Sequence, residues 1–186
     1  MTDNRRWNAY YKQGGDFKKP NVALIQNKLI DVLGSIGSMN HVDLGCGTGY
    51  LTRQFAQYNC YGQGIDSSPE AVRRARLLGR STLYTYQTQD VTDPTLSVWQ
   101  NPIDLLTCCQ VYRFIEDKEQ LVTNISTSLS TSGLFVLVDP HRKRADQNSH
   151  RDIYPSREDY KIISSTFKPV HHEQDEYYDY RFLAPS

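Results

Sequence analysis

Apolar residues recur at helical spacing between residues 21 and 35, where Val22, Ile25, Leu29, Val32 and Leu33 form one stripe; Pro20 precedes it and Gly34 follows. This predicts an amphipathic helix. The pattern then shortens to "HVDL", a strand that runs into three glycines, and helical spacing returns in "YLTRQFAQY" through Leu51, Phe55 and Tyr58. "YGQGID" reads as the next strand. In "SSPEAVRRARLLG", Ser68 can cap a helix, Pro69 can take its first position and Gly79 can end it. A strand over "TLYTYQTQDV", a turn at Asp93-Pro94 and the two-sidedly apolar strand "IDLLTCC" come next. The helix "KEQLVTNISTSL" and the strand "LFVLVD" continue the alternation. The capping-box spacing of Ser156 and Asp159 opens a helix over "SREDYKIISSTF", and "KPVHHEQDEYYDYRFLAP" reads as two closing strands. Alternating strands and helices predict a layered α/β domain with a parallel sheet.

Size and charge narrow the functions open to such a domain. A length of 186 residues suits one domain spanning 1–186, with residues 1–20 as an N-terminal segment. Lysine plus arginine total 21 and aspartate plus glutamate total 21, so no net field favours a nucleic acid backbone. No apolar stretch is long enough to span a bilayer, and "MTDNRRWNAYYKQGG" has no apolar signal core; a soluble, cytoplasmic protein is expected. Cys46, Cys60, Cys108 and Cys109 form no CxxC pair and read as reduced structural thiols. No metal site is expected.

The glycine run "HVDLGCGTGYLT" carries the sharpest chemistry. A dinucleotide fingerprint would place glycine three residues after Gly47 or Gly49, where Tyr50 and Thr52 stand instead, and the lysine of a phosphate loop is missing. What remains is Asp43-x-Gly45-x-Gly47-x-Gly49, with Asp66 and Asp90 closing the next two strands. Successive parallel strands deliver such ends to one edge of the sheet, so three carboxylates are expected at one crevice. They suit a cationic or zwitterionic ligand without phosphate.

At these residues, and through "VDLGCGTG", "GIDSSPEAV", "QTQDV", "DLLTCCQVYRFIED" and "SGLFVLVDP" in that order, the chain resembles the class I S-adenosylmethionine-dependent methyltransferases. The resemblance implies a Rossmann-like three-layer sandwich, with a mostly parallel seven-stranded sheet and an antiparallel C-terminal strand. It implies S-adenosyl-L-methionine as cofactor and in-line methyl transfer to a small-molecule acceptor. A methyltransferase of RNA or protein, or a non-catalytic cofactor-binding partner subunit, is the alternative. By the same likeness Gly45, Cys46, Gly47 and Gly49 approach the methionine moiety, and Asp43 helps hold its amino group. Asp66, with Ser67 beside it, accepts from the ribose hydroxyls; Asp90 and Val91 read the adenine; Gln110 lies near the sulfonium.

Acceptor-side positions are Tyr11, Tyr112 and Arg113. Many members of the family carry a histidine shortly after the fourth strand, where this chain has Phe114, and the Asn/Asp-Pro-Pro-aromatic motif of adenine methylation is missing. The candidate base is His141 after the fifth strand, weighed against an exposed loop histidine. Arg142, Lys143, Arg144 and Arg151 read either as solvated loop or as a flap recruiting an anionic acceptor. For Trp7, Tyr10 and Tyr11 the readings are a lid over the cofactor or packing on the first amphipathic helix.

Overall fold

A computed structural model describes residues 4–140 and 155–186. Helix α1 (Asn4–Lys12) precedes α2 (Val22–Leu33), which the Asn21 side chain caps by accepting from the Leu24 amide; Gly34 ends it in the left-handed region at φ 77°. Val22, Ile25 and Leu29 of the predicted stripe are buried, whereas Val32 turns outward. Strand β1 (Asn40–Leu44), α3 (Tyr50–Ala56), β2 (Tyr61–Asp66), α4 (Pro69–Leu78) and β3 (Tyr84–Thr88) make the first half. The second half holds β4 (Ile103–Cys109), α5 (Lys118–Ser128), β5 (Leu129–Pro140), α6 (Arg157–Ser164), β6 (Phe167–Gln174) and β7 (Tyr178–Pro185).

The sheet order is β3-β2-β1-β4-β5-β7-β6. β1 to β5 pair in parallel, and β7 runs against both of its neighbours, β5 and β6. This is the Rossmann-like, mostly parallel seven-stranded sheet that the sequence predicts. Alternation along β5 explains the three layers. Phe135 and Leu137 pack with Leu121, Ile125 and Ile163 of α5 and α6, while Leu134, Val136 and Val138 pack with Ile25, Leu29 and Phe55 of α2 and α3.

Two boundaries depart from expectation. β3 is shorter than expected and stops at Thr88, so Asp90 lies in the following turn, where its Oδ1 accepts from the Thr92 amide and hydroxyl. β5 is longer: it starts at Leu129, pairs with Ile103 and rejoins the β4 ladder after a register shift. The chain leaves β1 toward β2 on one side and later crosses to β4 on the other. The carboxyl ends of β1 and β4 therefore flank the topological switch point, where α/β sheets form a crevice.

Candidate active-site cleft

The glycine loop stands at this switch point. Gly45, Gly47 and Gly49 have φ of 65°, 54° and 74°, a region that side chains with a Cβ rarely occupy. Their surroundings differ. A Cβ on Gly47 would lie 2.7 Å from the Tyr11 hydroxyl and one on Gly45 would strike Val111, both at the cleft, whereas one on Gly49 would strike the Tyr86 ring in the core beneath α4. Gly49 thus serves packing, and Gly45 and Gly47 shape the cleft wall.

Gly49 offers α3 no side-chain cap. Asp43 supplies one from the end of β1: its Oδ2 accepts from the Thr52 amide at 3.2 Å and the Thr52 hydroxyl at 2.8 Å, and its Oδ1 accepts from the Thr107 hydroxyl at 2.9 Å. The sequence reading missed this role. Burial raises the Asp43 carboxyl to about 6, and these hydrogen bonds restrain the rise. Asp66 holds the loop from the other side, accepting from the Gly47 amide at 2.9 Å and the Ser68 amide at 2.8 Å. Its carboxyl is also raised by burial, with both amides opposing the shift.

The cleft comprises two adjoining pockets that share Tyr11, Phe17, Gly45, Cys109 and Gln110 in their walls. One, with about 570 Å³ of atom-free space continuous with solvent, adds Asp66, Ser67, Asp90, Val91, Ile115 and the rings of Trp7 and Phe114. The other adds Asp43, Cys46, Gly47, Thr48, Tyr50 and the segment Asp16–Pro20. Every cofactor-side position expected from the sequence except Gly49 lines one pocket or the other.

The N-terminal segment crosses this cleft and does not pack on α2. Trp7 meets Phe114 with ring centroids 4.7 Å apart and Phe17 at 5.9 Å. Asn8 Oδ1 accepts from the Glu70 amide at the start of α4, and Arg74 donates to the carbonyls of Tyr11 and Gly15. The Lys18 carbonyl accepts from Gln110 Nε2 at 2.7 Å and from the Tyr178 hydroxyl at 2.8 Å. Gln110, itself at a positive φ of 62°, is therefore the latch of the segment.

The acceptor-side expectations fare unevenly. Tyr11 is buried against the glycine loop, and desolvation with the nearby Asp66 charge pushes its phenol well above the usual range. Tyr112 is corrected outright. The short 3-10 turn Tyr112–Phe114 rotates it into the core, where it is fully buried and donates to the Asp159 carbonyl of α6 at 2.9 Å. Arg113 lies over the Phe114 ring and near Asp139. His141, His150 and the basic run 142–144 with Arg151 fall outside the described residues. His171 and His172 sit on β6 beside Glu173 and Asp179, away from the cleft. Cys46, Cys60, Cys108 and Cys109 are free thiols. Among the described residues no group of three or more histidine, cysteine or acidic side chains is placed to hold a metal, and no helix is long and apolar enough to cross a membrane.

Residues 37–183 match the family model of a methyltransferase domain. The chain belongs to this family, the class I S-adenosylmethionine-dependent methyltransferases. It is 26% identical over 105 residues to a ubiquinone biosynthesis O-methyltransferase of Cupriavidus pinatubonensis, a match spanning 56% of this chain and 42% of that protein. The chain thus matches less than half the length of this curated relative. Two crystal structures share the fold. A TehB-like SAM-dependent methyltransferase from Corynebacterium glutamicum superposes with a TM-score of 0.65 at 16% identity, covering 98% of this chain and 95% of that one. The magnesium protoporphyrin IX methyltransferase ChlM of Synechocystis, solved with bound SAH, gives 0.70 at 17%, covering 98% and 94%.

Proposed function

We propose that the cleft binds S-adenosylmethionine and that the chain transfers its methyl group to a small molecule. The observation that carries this reading is the convergence of the glycine loop, Asp66 and the Asp90–Val91 turn on one crevice at the switch point. The donor set fits the group. Asp66 is nearly buried, yet its two oxygens each accept only one backbone amide and retain acceptor capacity for ribose hydroxyls. In this reading Asp90, Val91 and Ile115, which line one pocket, take the adenine, and Gly45, Gly47 and Asp43, which line the other, face the amino acid end. When bound, the cofactor supplies a methyl carbon already activated by cationic sulfur.

The chain's contribution is then orientation and exclusion of water. Trp7, Phe17 and Phe114 wall the mouth with apolar rings, and Gln110 fixes the overlying segment. A cleft roofed in this way suits a small acceptor better than an RNA or a folded protein, which supports the small-molecule reading. An anionic acceptor rests on the basic run after β5 and on Arg113; His141 remains the candidate base.

Calorimetric titration with S-adenosylhomocysteine tests the assignment. Asp66→Ala is expected to weaken binding by roughly 1.5–3 kcal/mol, the range for hydrogen bonds to a charged group. Equal affinity in the two proteins would remove Asp66 from the site.

A further inference from the structure

Beneath the glycine loop runs a buried chain of polar groups that links the motif's Asp43 to Thr107 of β4 and His41 of β1. His41 on β1 is 1% exposed, and its Nε2 lies 2.8 Å from the Thr107 hydroxyl on β4, which itself reaches Asp43 Oδ1 at 2.9 Å. The direction of the chain follows from counting protons. Ionised Asp43 can only accept, so the single Thr107 proton points to it, and the Thr107 oxygen must accept from His41. His41 is then the Nε2–H tautomer, and its buried Nδ1, which has no partner, is a bare acceptor. A proton placed on Oδ1 of Asp43 would leave an orphaned buried donor either way: the Thr107 hydroxyl if His41 keeps its proton on Nε2, or the Nδ1–H of His41 if both bonds reverse. Buried orphan donors are rarer than buried orphan acceptors, so the arrangement resists that protonation.

We propose that Thr107, backed by His41, is a positioning residue for the cofactor: it holds Asp43 as an oriented acceptor that caps α3 and sets the glycine loop. The proposal rests on the cofactor reading given above. The consequence is a pH dependence of cofactor affinity. The groups facing Asp43 are Asp66 across the loop, the thiols of Cys46, Cys108 and Cys109, and neutral His41, with Lys19 and Arg53 in electrostatic reach of the neighbouring thiols. Burial holds the His41 ring down to about 3, so it carries no charge near neutral pH. Asp43, Asp66 and, beside the same Cys108 and Cys109 thiols, Asp139 are then the buried carboxyls whose charge changes toward and below neutrality, and the Thr107 and His41 variants single out the Asp43 share.

The test is titration of the full chain with S-adenosylhomocysteine from pH 5 to 8.5, for wild type, Thr107→Val, Thr107→Ser and His41→Phe. Thr107→Val is expected to weaken binding about tenfold at pH 7, the loss of one hydrogen bond to a charge, and to move the midpoint of the pH dependence up by about one unit. Thr107→Ser, which keeps the hydroxyl, restores both. His41→Phe keeps the edge contact with the Phe55 ring, whose centroid lies 4.8 Å from that of His41, and moves the midpoint by a smaller step in the same direction. A purely structural role would lower the melting temperature of Thr107→Val and leave the midpoint unmoved, which would overturn the proposal. If Thr107→Val does not fold, His41→Phe decides alone: an unmoved midpoint overturns it. Failure of the wild type to bind the probe sinks the cofactor reading itself.

Discussion

Asp43 and Asp139 end two strands of the same sheet, both are nearly completely buried, and they live in opposite circumstances. Asp43 accepts three hydrogen bonds, from Thr52 and Thr107. Neither oxygen of Asp139 has a hydrogen-bond partner among the described residues. Desolvation raises both carboxyls, to about 6 and about 7 respectively. What opposes it differs: hydrogen bonds restrain Asp43, whereas Asp139 relies on the guanidinium of Arg113, and Asp179 across the β5–β7 ladder works against it. The lesson is that a carboxylate at the functional edge of a parallel sheet is not defined by its position or burial. The helix that follows β1 turns its amino end back toward Asp43, and that return makes the difference.

The sharpest test of the β1 region is Gly47→Val. A β-branched side chain at φ 54°, aimed at the Tyr11 hydroxyl, is expected to lower cofactor affinity by more than about a hundredfold while the protein stays folded. Circular dichroism and ligand-induced thermal shift separate the two effects, and a normal shift would reduce the loop to a simple turn.

The comparison itself predicts opposite signs for one substitution at its two ends. Asp43→Asn places an NH₂ group among donors and is expected to destabilise the fold by about 1–3 kcal/mol at pH 8. Asp139→Asn should stabilise it at the same pH. The Asp139 carboxyl titrates near 7 in the fold against an ordinary value of 3.8, so the native state holds its proton more tightly. Stability from this group is therefore present at low pH and falls as pH rises through that window. The variant loses the slope, melting above wild type at pH 8 and converging with it only below about pH 4, where the carboxyl is protonated in both the folded and the unfolded wild type. Equal slopes in the two proteins would mean that Asp139 is ionised throughout.

The smallest effect is expected at the N-terminal segment. Tyr178→Phe removes one of two donors to the Lys18 carbonyl, leaving Gln110, and should weaken cofactor affinity only twofold to fivefold, from roughly 0.5–1 kcal/mol. A larger loss would make Tyr178 the principal anchor.

Local signals were readable where a few consecutive residues suffice. Ser68 before Pro69 and the Ser156–Asp159 box cap the helices they were expected to cap, and β2 and β4 begin and end where their apolar runs do. Tyr112 was expected on the acceptor side because it follows the fourth strand at the functional edge of the sheet. Its burial depends on the distant Asp159 carbonyl. Asp90 was expected to close the third strand, but Thr92 offers its carboxylate a local turn instead.

The order of elements, the parallel sheet and the glycine loop were determined by the sequence alone, because periodicity, capping and spacing act within a few residues of one another. The partners of Asp43, the turning of Tyr112 into the core, the latching of residue 18 by residues 110 and 178, and the lack of a hydrogen-bond partner for Asp139 among the described residues were decided only by the tertiary structure. Each depends on groups brought together from distant parts of the chain, and a buried polar atom takes its chemistry from whatever hydrogen-bond partner then lies within reach.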